Sequence, residues 1–323
     1  MRKISVRKIS VFIIVILSAL VAASGQARSI KELAESEYTL KLIYENDFRD
    51  VGDIDDWVME GPGRIYWWEN KMTLIPAAQQ AIYKKWEKNN RENLNPETEY
   101  YPVVEKCLNR VNPSVVDNLK DKEGNFSGGH IVCWNKAFET SNGYCVEYEF
   151  KPLSPVGLGI IFFSADGMGG QDVLSGQLKS RYGVFTSYTE SDINCYHISY
   201  WANNAAVGKR GTCNLRKNSG FYYLADGNDP TAEDLDYSCP TFDFNTYRIR
   251  LLKENNRIRF FIDDELVIDY TDNRYNDIPG DGKDTKVDTG KVLGGGRIGI
   301  RQMVGLIGQY DNFRVYNLVD TGK

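Results

Sequence analysis

The chain has 323 residues, of which 39 are Lys or Arg and 44 are Asp or Glu, so its formal net charge is −5. A hydrophobic fraction of 42% is too high for a disordered chain, and the acidic balance argues against a nucleic-acid partner, since phosphate binding needs a basic surface. Twenty Tyr, 14 Phe and 6 Trp favour β-structure over a helical bundle.

The first 27 residues have the pattern of an export signal. Four basic residues precede an apolar run at 11–23, and small residues follow up to Ala27. This run is shorter than a typical membrane-spanning helix. No cysteine lies near the expected cleavage site, which argues against a lipoprotein anchor. We therefore expect residues 1–27 to be removed and 28–323 to form one exported domain, periplasmic or secreted, without a membrane partner. An uncleaved N-terminal anchor is the alternative.

Short runs with strand patterns follow along the chain, separated by Gly, Asn and Asp turns. They are 38–44, 64–68, 71–75, 130–134, 144–150, 158–163, 181–188, 196–201, 247–253, 257–262, 266–270, 297–303 and 308–316. Turns at 69–70 and 254–256 predict two hairpins, and the last two runs predict a final pair. With no linker and no repeat, the pattern predicts a single all-β domain, a sandwich or jelly roll.

One polar stretch interrupts the strand pattern at about residues 77–125. Its segments 77–88 and 103–111 have helical spacing, so we interpret it as a partly helical insertion. Long loops on a β scaffold often shape a binding site, although a solvated excursion without function is an equal alternative.

The six cysteines leave the redox state open. All of them follow the signal segment, and an oxidising compartment permits disulfides. Several lie inside apolar strand patterns, where a buried thiol is as plausible as a bridge. The absence of a C-x-x-C pair argues against a cysteine zinc site.

Alternation along the strand that follows His130 separates two faces. Alternate residues of a strand share a face, so His130, Trp134 and Lys136 lie on one side. Ile131 and Cys133 lie on the other side, which is a natural core face. We expect the histidine face to point away from the core, where Trp134 and Lys136 would contact a ligand.

The second histidine, His197, has a similar setting. Strand alternation places His197 on one face with Trp201, and it places Asn194 and Tyr200 on the opposite face. With only two imidazoles in the chain, these two strand faces are the candidates for imidazole chemistry. A satisfied structural histidine is the alternative for each.

Basic and aromatic groups near these strands are candidate ligand-binding residues. A planar guanidinium suits a carboxylate, and a lysine supplies a point charge. Tryptophans stack on sugar rings, although core packing is an equal alternative. The substrate-binding candidates are Trp134, Lys136, Arg181, Asn194, Trp201, Arg216 and Lys217.

Carboxylates provide two further hypotheses. Glu147 and Glu149 lie two residues apart on one strand face, roughly 7 Å from each other, which would suit a glycoside hydrolase. Asp47 and Asp311 would meet near the two termini and hold a structural Ca²⁺ as oxygen ligands. We expect no other cofactor.

Several stretches together resemble the YesU-like family, a bacterial group of concanavalin-like β-sandwich proteins. They are 44–48, 130–134, 157–165, 192–200 and 213–221. The resemblance implies a concanavalin A-like/laminin G-like sandwich and a carbohydrate-active protein found beside enzymes that degrade pectin or the algal polysaccharide ulvan. It also implies elimination chemistry on uronic acids, in particular dehydration of a terminal uronyl unit of an oligosaccharide or polysaccharide substrate.

Elimination of this kind needs a neutralised carboxylate, a base at C5 and an acid at C4. On this hypothesis, His130 and His197 act as acid and base in either order, with Tyr188 or Tyr200 replacing one of them. The competing interpretations are a glycoside hydrolase that uses Glu147 with its neighbouring carboxylate and a non-catalytic carbohydrate-binding protein.

Overall fold

The computed structural model describes residues 38–61, 63–76, 130–154, 157–183, 185–204, 208–232, 245–277, 286–303 and 306–320. The expected signal segment at 1–27 and the insertion at about 77–125 lie outside these ranges, so both stay predictions. Within the described ranges, no helix is long and apolar enough to cross a membrane.

Eighteen strands make up most of the described secondary structure. In chain order they are β1 (Tyr38–Asn46), β2 (Trp57–Glu60), β3 (Gly63–Trp68), β4 (Lys71–Pro76), β5 (Ile131–Asn135), β6 (Gly143–Pro152), β7 (Gly157–Gly167), β8 (Ile193–Asn204), β9 (Gly208–Lys209), β10 (Thr212–Asn218), β11 (Tyr222–Asn228), β12 (Tyr247–Glu254), β13 (Arg257–Ile262), β14 (Glu265–Thr271), β15 (Tyr275–Asp277), β16 (Lys286–Asp288), β17 (Arg297–Met303) and β18 (Gly308–Asp320). One short helix, α1 (Thr186–Thr189), and two 3₁₀ turns, Val51–Asp56 and Pro230–Ala232, accompany them. The all-β prediction is confirmed.

Two antiparallel eight-stranded sheets pack face to face. Sheet 1 has the order β14-β13-β12-β6-β18-β4-β3, with β1 also paired to β18. Sheet 2 has the order β11-β10-β8-β7-β17-β5-β2, with β9 also paired to β8. Strands β15 and β16 form a separate small pair. The arrangement is a β-sandwich, as the strand pattern predicted.

The main core lies between the sheets and follows from alternation along each strand. On β6, Tyr144 and Tyr148 point into the core, while Cys145 joins a smaller cluster on the other face of sheet 1. On β17, Ile298 and Ile300 belong to the same core. Burial of these side chains provides the main driving force for sheet pairing, at roughly 25 cal/mol per Å² of apolar surface.

A second apolar cluster covers the outer face of sheet 2. It comprises Val132, Trp134, Ile160, Phe162, Ala165, Val173, Tyr188, Ile193 and Cys195. Residues before and within α1 pack over the strands, so part of this face is buried as deeply as the core. This cover is the reason that an outward strand position in sheet 2 is not a solvent-exposed position.

Most predicted strands and both predicted hairpins are confirmed, with two corrections. Glu69 and Asn70 adopt positive φ angles of 54° and 55°, as a two-residue hairpin turn requires. The run 181–188 is not a strand, because residues 181–183 and 185 belong to the covering loop and residues 186–188 belong to α1. The last two predicted strands do not pair with each other: β17 lies in sheet 2 and β18 in sheet 1.

The described cysteines settle part of the redox question. Cys133, Cys145 and Cys195 are buried free thiols, and Cys213 is buried with its Sγ 3.5 Å from the carbonyl oxygen of Tyr200. The remaining two, Cys107 and Cys239, lie outside the described ranges.

Candidate functional site

An arginine with unusual surroundings lies on the outer face of sheet 2. Arg301 alternates with the inward-facing Ile300 on β17, yet its side chain is only 2% exposed. Its Nη2 donates a hydrogen bond of 2.8 Å to Nδ1 of His130, and its guanidinium carbon lies 4.8 Å from the ring centre of Tyr188. No carboxylate lies within ion-pair distance of Arg301 among the residues that the structure describes. Burial lowers the pKa of Arg301 to about 10.

His130 sits immediately before β5 and is held as a neutral imidazole. Burial, reinforced by the charge of Arg301, lowers the pKa of His130 to about 3. A guanidinium only donates hydrogen bonds, so Nδ1 accepts and the ring proton is on Nε2. Gly61 and Gly183 pack directly against the His130 carbonyl oxygen, where a Cβ on either glycine would clash. The backbone of His130 is therefore tightly enclosed.

A carboxylate joins two of the predicted site residues. Arg181 donates to Glu60 through Nε (3.0 Å) and Nη2 (2.6 Å), and Tyr188 donates its phenolic proton to Glu60 Oε2 (2.9 Å). Burial, followed by the charge of Glu60, raises the pKa of Tyr188, so its phenol stays protonated. Arg181 is already neutralised by Glu60, whereas Arg301 has no such partner among the described residues.

His197 lies on the same outer face, at a distance from His130. Its strand β8 is separated from β5 by β7 and β17, which corresponds to roughly 14 Å between the strand backbones. Nδ1 of His197 is 3.2 Å from the amide nitrogen of Asn218, and the ring packs against Phe162 and Phe221. Burial and then Arg301 lower the pKa of His197. The two imidazoles therefore flank Arg301 without touching each other.

Arg216 lies beside His197 on the neighbouring strand β10. Its guanidinium carbon is 4.2 Å from the ring centre of Phe221 and 5.0 Å from that of Tyr223. Partial burial lowers the pKa of Arg216, although the group stays cationic at neutral pH. Arg216 thus lies at the edge of the face that carries Arg301.

Two predicted residues lie between the sheets instead of on this face. Tyr200 is 1% exposed and packs against Tyr148 and Phe260, as strand alternation opposite His197 predicts. The expectation that Trp201 shares the face of His197 is wrong. A register shift between β7 and β8 at this point turns Trp201 into the core, where it packs on Phe150.

The remaining aromatic and lysine candidates differ in exposure. Trp134 occupies the expected outer face, but it is fully buried under the cover and packs on Phe162, so its ring is not open to a sugar. Lys136 is exposed just past the end of β5.

Asn194 and Lys217 line an open pocket of about 350 Å³ at one end of the sandwich, together with Asn218, Tyr222, Asp288 and Lys291. Within the pocket, Lys217 Nζ donates to Asp272 Oδ2 over 2.7 Å, so its charge is neutralised. Burial lowers the pKa of Lys217, while Asp272 opposes that change. Asn218 connects this pocket to His197.

The carboxylates of the calcium and hydrolase hypotheses lie outside this site. Asp311 forms an ion pair with Lys71, and Asp47 forms one with Arg49, so each proposed calcium ligand already has a cationic partner. No group of three acidic, histidine or cysteine side chains that could hold a metal occurs in the described ranges. These residues therefore do not fit a calcium site. Glu147 lies on sheet 1, away from the histidines, with Arg314 Nη1 at 4.0 Å.

Sequence reasoning missed the residues at the centre of this arrangement, Arg301 and Glu60. The sequence does contain a pattern that indicates Arg301, because this cation directly follows the apolar run Ile298–Ile300 within a predicted strand. Glu60 carries no comparable pattern, since it meets Arg181 across 121 positions of sequence.

Chemically, the site combines a buried guanidinium with two neutral proton-transfer groups. Arg301 contacts both His130 and Tyr188. Such a set can bind an anionic group through Arg301 and exchange protons with the atoms beside it.

Comparison with known proteins identifies relatives along most of the chain. YesU of Bacillus subtilis (strain 168), described as an uncharacterized protein, is 28% identical over 278 residues, which are 86% of this chain and 96% of YesU. The crystal structure of a Bacillus subtilis protein of unknown function with a galectin-like fold is 26% identical, with a TM-score of 0.59 over 88% of this chain and 99% of that one.

A more distant structure, the non-specific endo-β-1,3(4)-glucanase SCLam of family GH16, is 10% identical over 86% of this chain and 91% of its own, with a TM-score of 0.43.

The expected resemblance to YesU-like proteins is confirmed by these relatives, and the galectin-like structure agrees with the sandwich described above. The family model described as a domain of unknown function (DUF1961) matches residues 114–315. Because this match covers more than half of the 323 residues, the chain belongs to the DUF1961 family.

Proposed function

We propose that the chain is a carbohydrate-active carbon–oxygen lyase, which acts by β-elimination on an oligosaccharide with a terminal uronic acid. The observation that carries this proposal is Arg301, a buried guanidinium that has His130, and no carboxylate, as its polar partner within the described ranges. A buried charge without a counter-ion is costly, and the planar fork of an arginine matches a carboxylate ligand. A uronate supplies that carboxylate.

Arg301 addresses the main chemical difficulty of the reaction. The proton on C5 of a uronate is poorly acidic while the adjacent carboxylate carries a full charge. A guanidinium in a low-dielectric site neutralises that charge and stabilises the negative charge that develops as the proton leaves.

His130 is the base in this proposal. The substrate carboxylate replaces His130 as the acceptor of the Arg301 hydrogen bond, which frees the Nδ1 lone pair. Nδ1 then takes the proton from C5, and the electrons of the C5–H bond form the C4=C5 double bond. The low pKa of His130, about 3, ensures that the imidazole is unprotonated before substrate binds.

Tyr188 is the acid: its phenolic proton turns from Glu60 Oε2 to the oxygen that leaves C4 and is transferred to it as the C4–O bond breaks. If that oxygen belongs to a hydroxyl group, water leaves and the reaction is a dehydration; if it belongs to another sugar, a shorter oligosaccharide leaves. Glu60 and Arg181 hold the phenol in place. His197 lies behind Phe162 and acts as a positioning residue for the aromatic surface around Arg301.

One observation favours a second candidate function, a non-catalytic carbohydrate-binding protein. Both imidazoles are buried, with exposed fractions of 8% for His130 and 4% for His197. In that case an acidic sugar is bound by the arginines of this face and no bond is broken.

The test uses saturated and unsaturated uronic-acid oligosaccharides as substrates. The products are read by the ultraviolet absorbance of the C4=C5 double bond and by mass spectrometry. The variants are His130→Gln and Tyr188→Phe, with Tyr316→Phe on sheet 1 as the matched control. We expect each site variant to lower the rate by about 100-fold or more, because a positioned acid or base contributes 10²–10⁴-fold.

Full activity in both site variants would refute the assigned roles. Products that gain a water and show no new absorbance would indicate hydrolysis instead of elimination. Binding of the oligosaccharide without any product would support the carbohydrate-binding alternative.

A further inference from the structure

Most arginines of the two sheets have a carboxylate partner, including Arg297 on β17 of sheet 2, which pairs with Asp172. On sheet 1, arginines are matched by carboxylates: Arg248 and Arg250 with Asp264, Arg257 with Asp269, Arg259 with Glu254, and Arg314 with Glu45. On the outer face of sheet 2, neither Arg301 nor Arg216 has a carboxylate within ion-pair distance in the described part of the chain. In an acidic protein, two unmatched cations on one face are an exception that calls for an anionic ligand.

Arg216 is held in a fixed position by aromatic rings. Its guanidinium lies 4.2 Å from the ring centre of Phe221 and 5.0 Å from that of Tyr223, and Nη1 donates to the Phe221 carbonyl oxygen over 3.4 Å. All three side chains are partly exposed. The guanidinium is therefore pre-oriented and still accessible, which reduces the entropic cost of binding an anion.

A continuous aromatic surface joins Arg216 to Arg301. We call Phe185, Phe221 and Tyr223 the aromatic shelf. The ring centres of Phe185 and Phe221 are 4.9 Å apart, and the guanidinium carbon of Arg301 lies 5.7 Å from the ring centre of Phe185. Phe185 is 37% exposed. Aromatic faces of this kind pack against the apolar faces of sugar rings.

The strand register gives the separation between the two arginines. Arg216 is opposite His197, His197 is opposite Phe162, and Phe162 is opposite Gly299, which stands two residues before Arg301. Three inter-strand spacings and two residues along a strand correspond to about 16 Å between the two Cα atoms. The rings of Phe185 and Phe221 lie between the two guanidinium groups, so a ligand that contacts both groups crosses the shelf and is longer than a single sugar ring.

We propose that Arg216 and the aromatic shelf form a second anion subsite, so that the ligand is an oligosaccharide with acidic groups on two of its units. The second group is an oxyanion, either another carboxylate or a sulfate ester, because both offer paired oxygens to a guanidinium fork. This inference rests on the proposed function, in which Arg301 binds the uronate.

Isothermal titration calorimetry with four probes tests the subsite. The probes are a single uronic acid, an oligosaccharide with two uronates, one with a uronate and a sulfate ester, and a neutral oligosaccharide of the same length. Arg216→Gln is compared with wild type and with Arg248→Gln, a matched control whose side chain is 51% exposed on sheet 1. Thermal unfolding establishes that each variant is folded.

We expect Arg216→Gln to weaken the binding of a two-anion oligosaccharide by about 10- to 100-fold, which is the range for a hydrogen bond to a charged group. The affinity for the single uronic acid should stay unchanged in Arg216→Gln, and Arg248→Gln should bind every probe like wild type. The two-anion probe that loses affinity identifies the second group as a carboxylate or a sulfate ester.

The outcomes separate the two proposals. Unchanged binding of both two-anion probes by Arg216→Gln overturns the second subsite, while loss of uronate binding in Arg301→Gln would leave the proposed function standing. If wild type binds no uronate at all, the proposed function fails, and loss of the sulfated probe in Arg216→Gln would still support an anion subsite at Arg216.

Discussion

Arg301 and Arg181 are both buried on the outer face of sheet 2, and they should respond differently to the same substitution. Arg181 is paired with Glu60, whereas Arg301 has no carboxylate partner among the described residues. Arg301→Met and Arg181→Met each keep an unbranched apolar side chain of similar length and remove the charge. The pair of variants therefore measures the effect of the missing counter-ion.

For Arg301→Met, the stabilising and destabilising contributions to the free energy of unfolding nearly cancel. Burial lowers its pKa from about 12.5 to about 10, so holding the cation in the folded state at pH 7 costs on the order of 3 kcal/mol, at 1.36 kcal/mol per pH unit. Met removes this cost, but it also removes the hydrogen bond to His130, about 1 kcal/mol, and cation–π contacts worth about 1–2 kcal/mol in total. The expected change in the free energy of unfolding is within about 1 kcal/mol.

For Arg181→Met, the contributions to the free energy of unfolding do not cancel, and the variant is destabilised. Its substitution leaves Glu60, whose side chain is 14% exposed, without its bidentate partner. Breaking a buried ion pair by removing one partner costs about 3–5 kcal/mol, and the partial exposure of Glu60 favours the lower end. Arg181→Met should therefore lower the melting temperature by roughly 6–12 °C, since about 1 kcal/mol corresponds to 2–4 °C in a domain of this size.

Urea denaturation followed by fluorescence measures both changes, and titration with a uronic acid measures binding on the same samples. We expect Arg301→Met to keep near-wild-type stability and to lose uronate binding. A loss of about 3 kcal/mol or more in Arg301→Met would refute the reasoning, because it would show that the guanidinium already has a structural counter-ion.

Three further predictions concern the pH dependence of stability, the pairing of buried and exposed charges, and the close packing of a glycine against the backbone. His130 has a pKa of about 3 in the folded protein and 6.5 in the unfolded chain, so below pH 6.5 the unfolded state binds a proton that the folded state does not. The free energy of unfolding should therefore fall by up to about 1.4 kcal/mol for each pH unit as the pH is lowered from 6.5 to 3. His130→Gln should remove this contribution in urea titrations at several pH values, and an unchanged slope would contradict it. Asp272→Asn leaves the buried Lys217 without its carboxylate and should cost about 3–5 kcal/mol in thermal unfolding, whereas Asp288→Asn, which breaks an exposed pair, should cost much less; equal losses would argue against this assignment. Gly183→Ala should destabilise the protein by more than Gly170→Ala, because both glycines have a φ of 81° but only a Cβ at Gly183 would clash with the His130 carbonyl; similar melting temperatures would refute the close approach.

The fold was largely predictable because strand alternation and turn chemistry are local properties. The β12–β13 hairpin illustrates this, since apolar strands flank a polar turn with Asn255 at a φ of 57°. The assignment of strands to sheets is not local. Strands β17 and β18 are consecutive in the chain but belong to different sheets, which no local pattern in either strand reveals.

The site was less predictable, and the failures have specific physical causes. Trp201 misses its expected face because a register shift between β7 and β8 interrupts the alternation, which a strand pattern cannot reveal. The run 181–188 has the composition of a strand, yet it covers sheet 2, because the outward-facing Phe162 and Trp134 need an apolar cover. Tertiary burial therefore overrides local propensity here.

Arg301 shows what the candidate site adds to the fold. On β17 the inward positions obey the alternation rule, and an apolar residue at the outward position 301 would have extended the second cluster without any charge. The chain instead keeps a buried cation whose pKa is lowered by burial and whose polar partner is a neutral imidazole. Folding alone gives no reason for this choice, because a hydrophobic side chain in the same place would be at least as stable. A ligand that brings its own negative charge to Arg301 does give a reason, since its binding removes the electrostatic penalty that the folded protein otherwise retains.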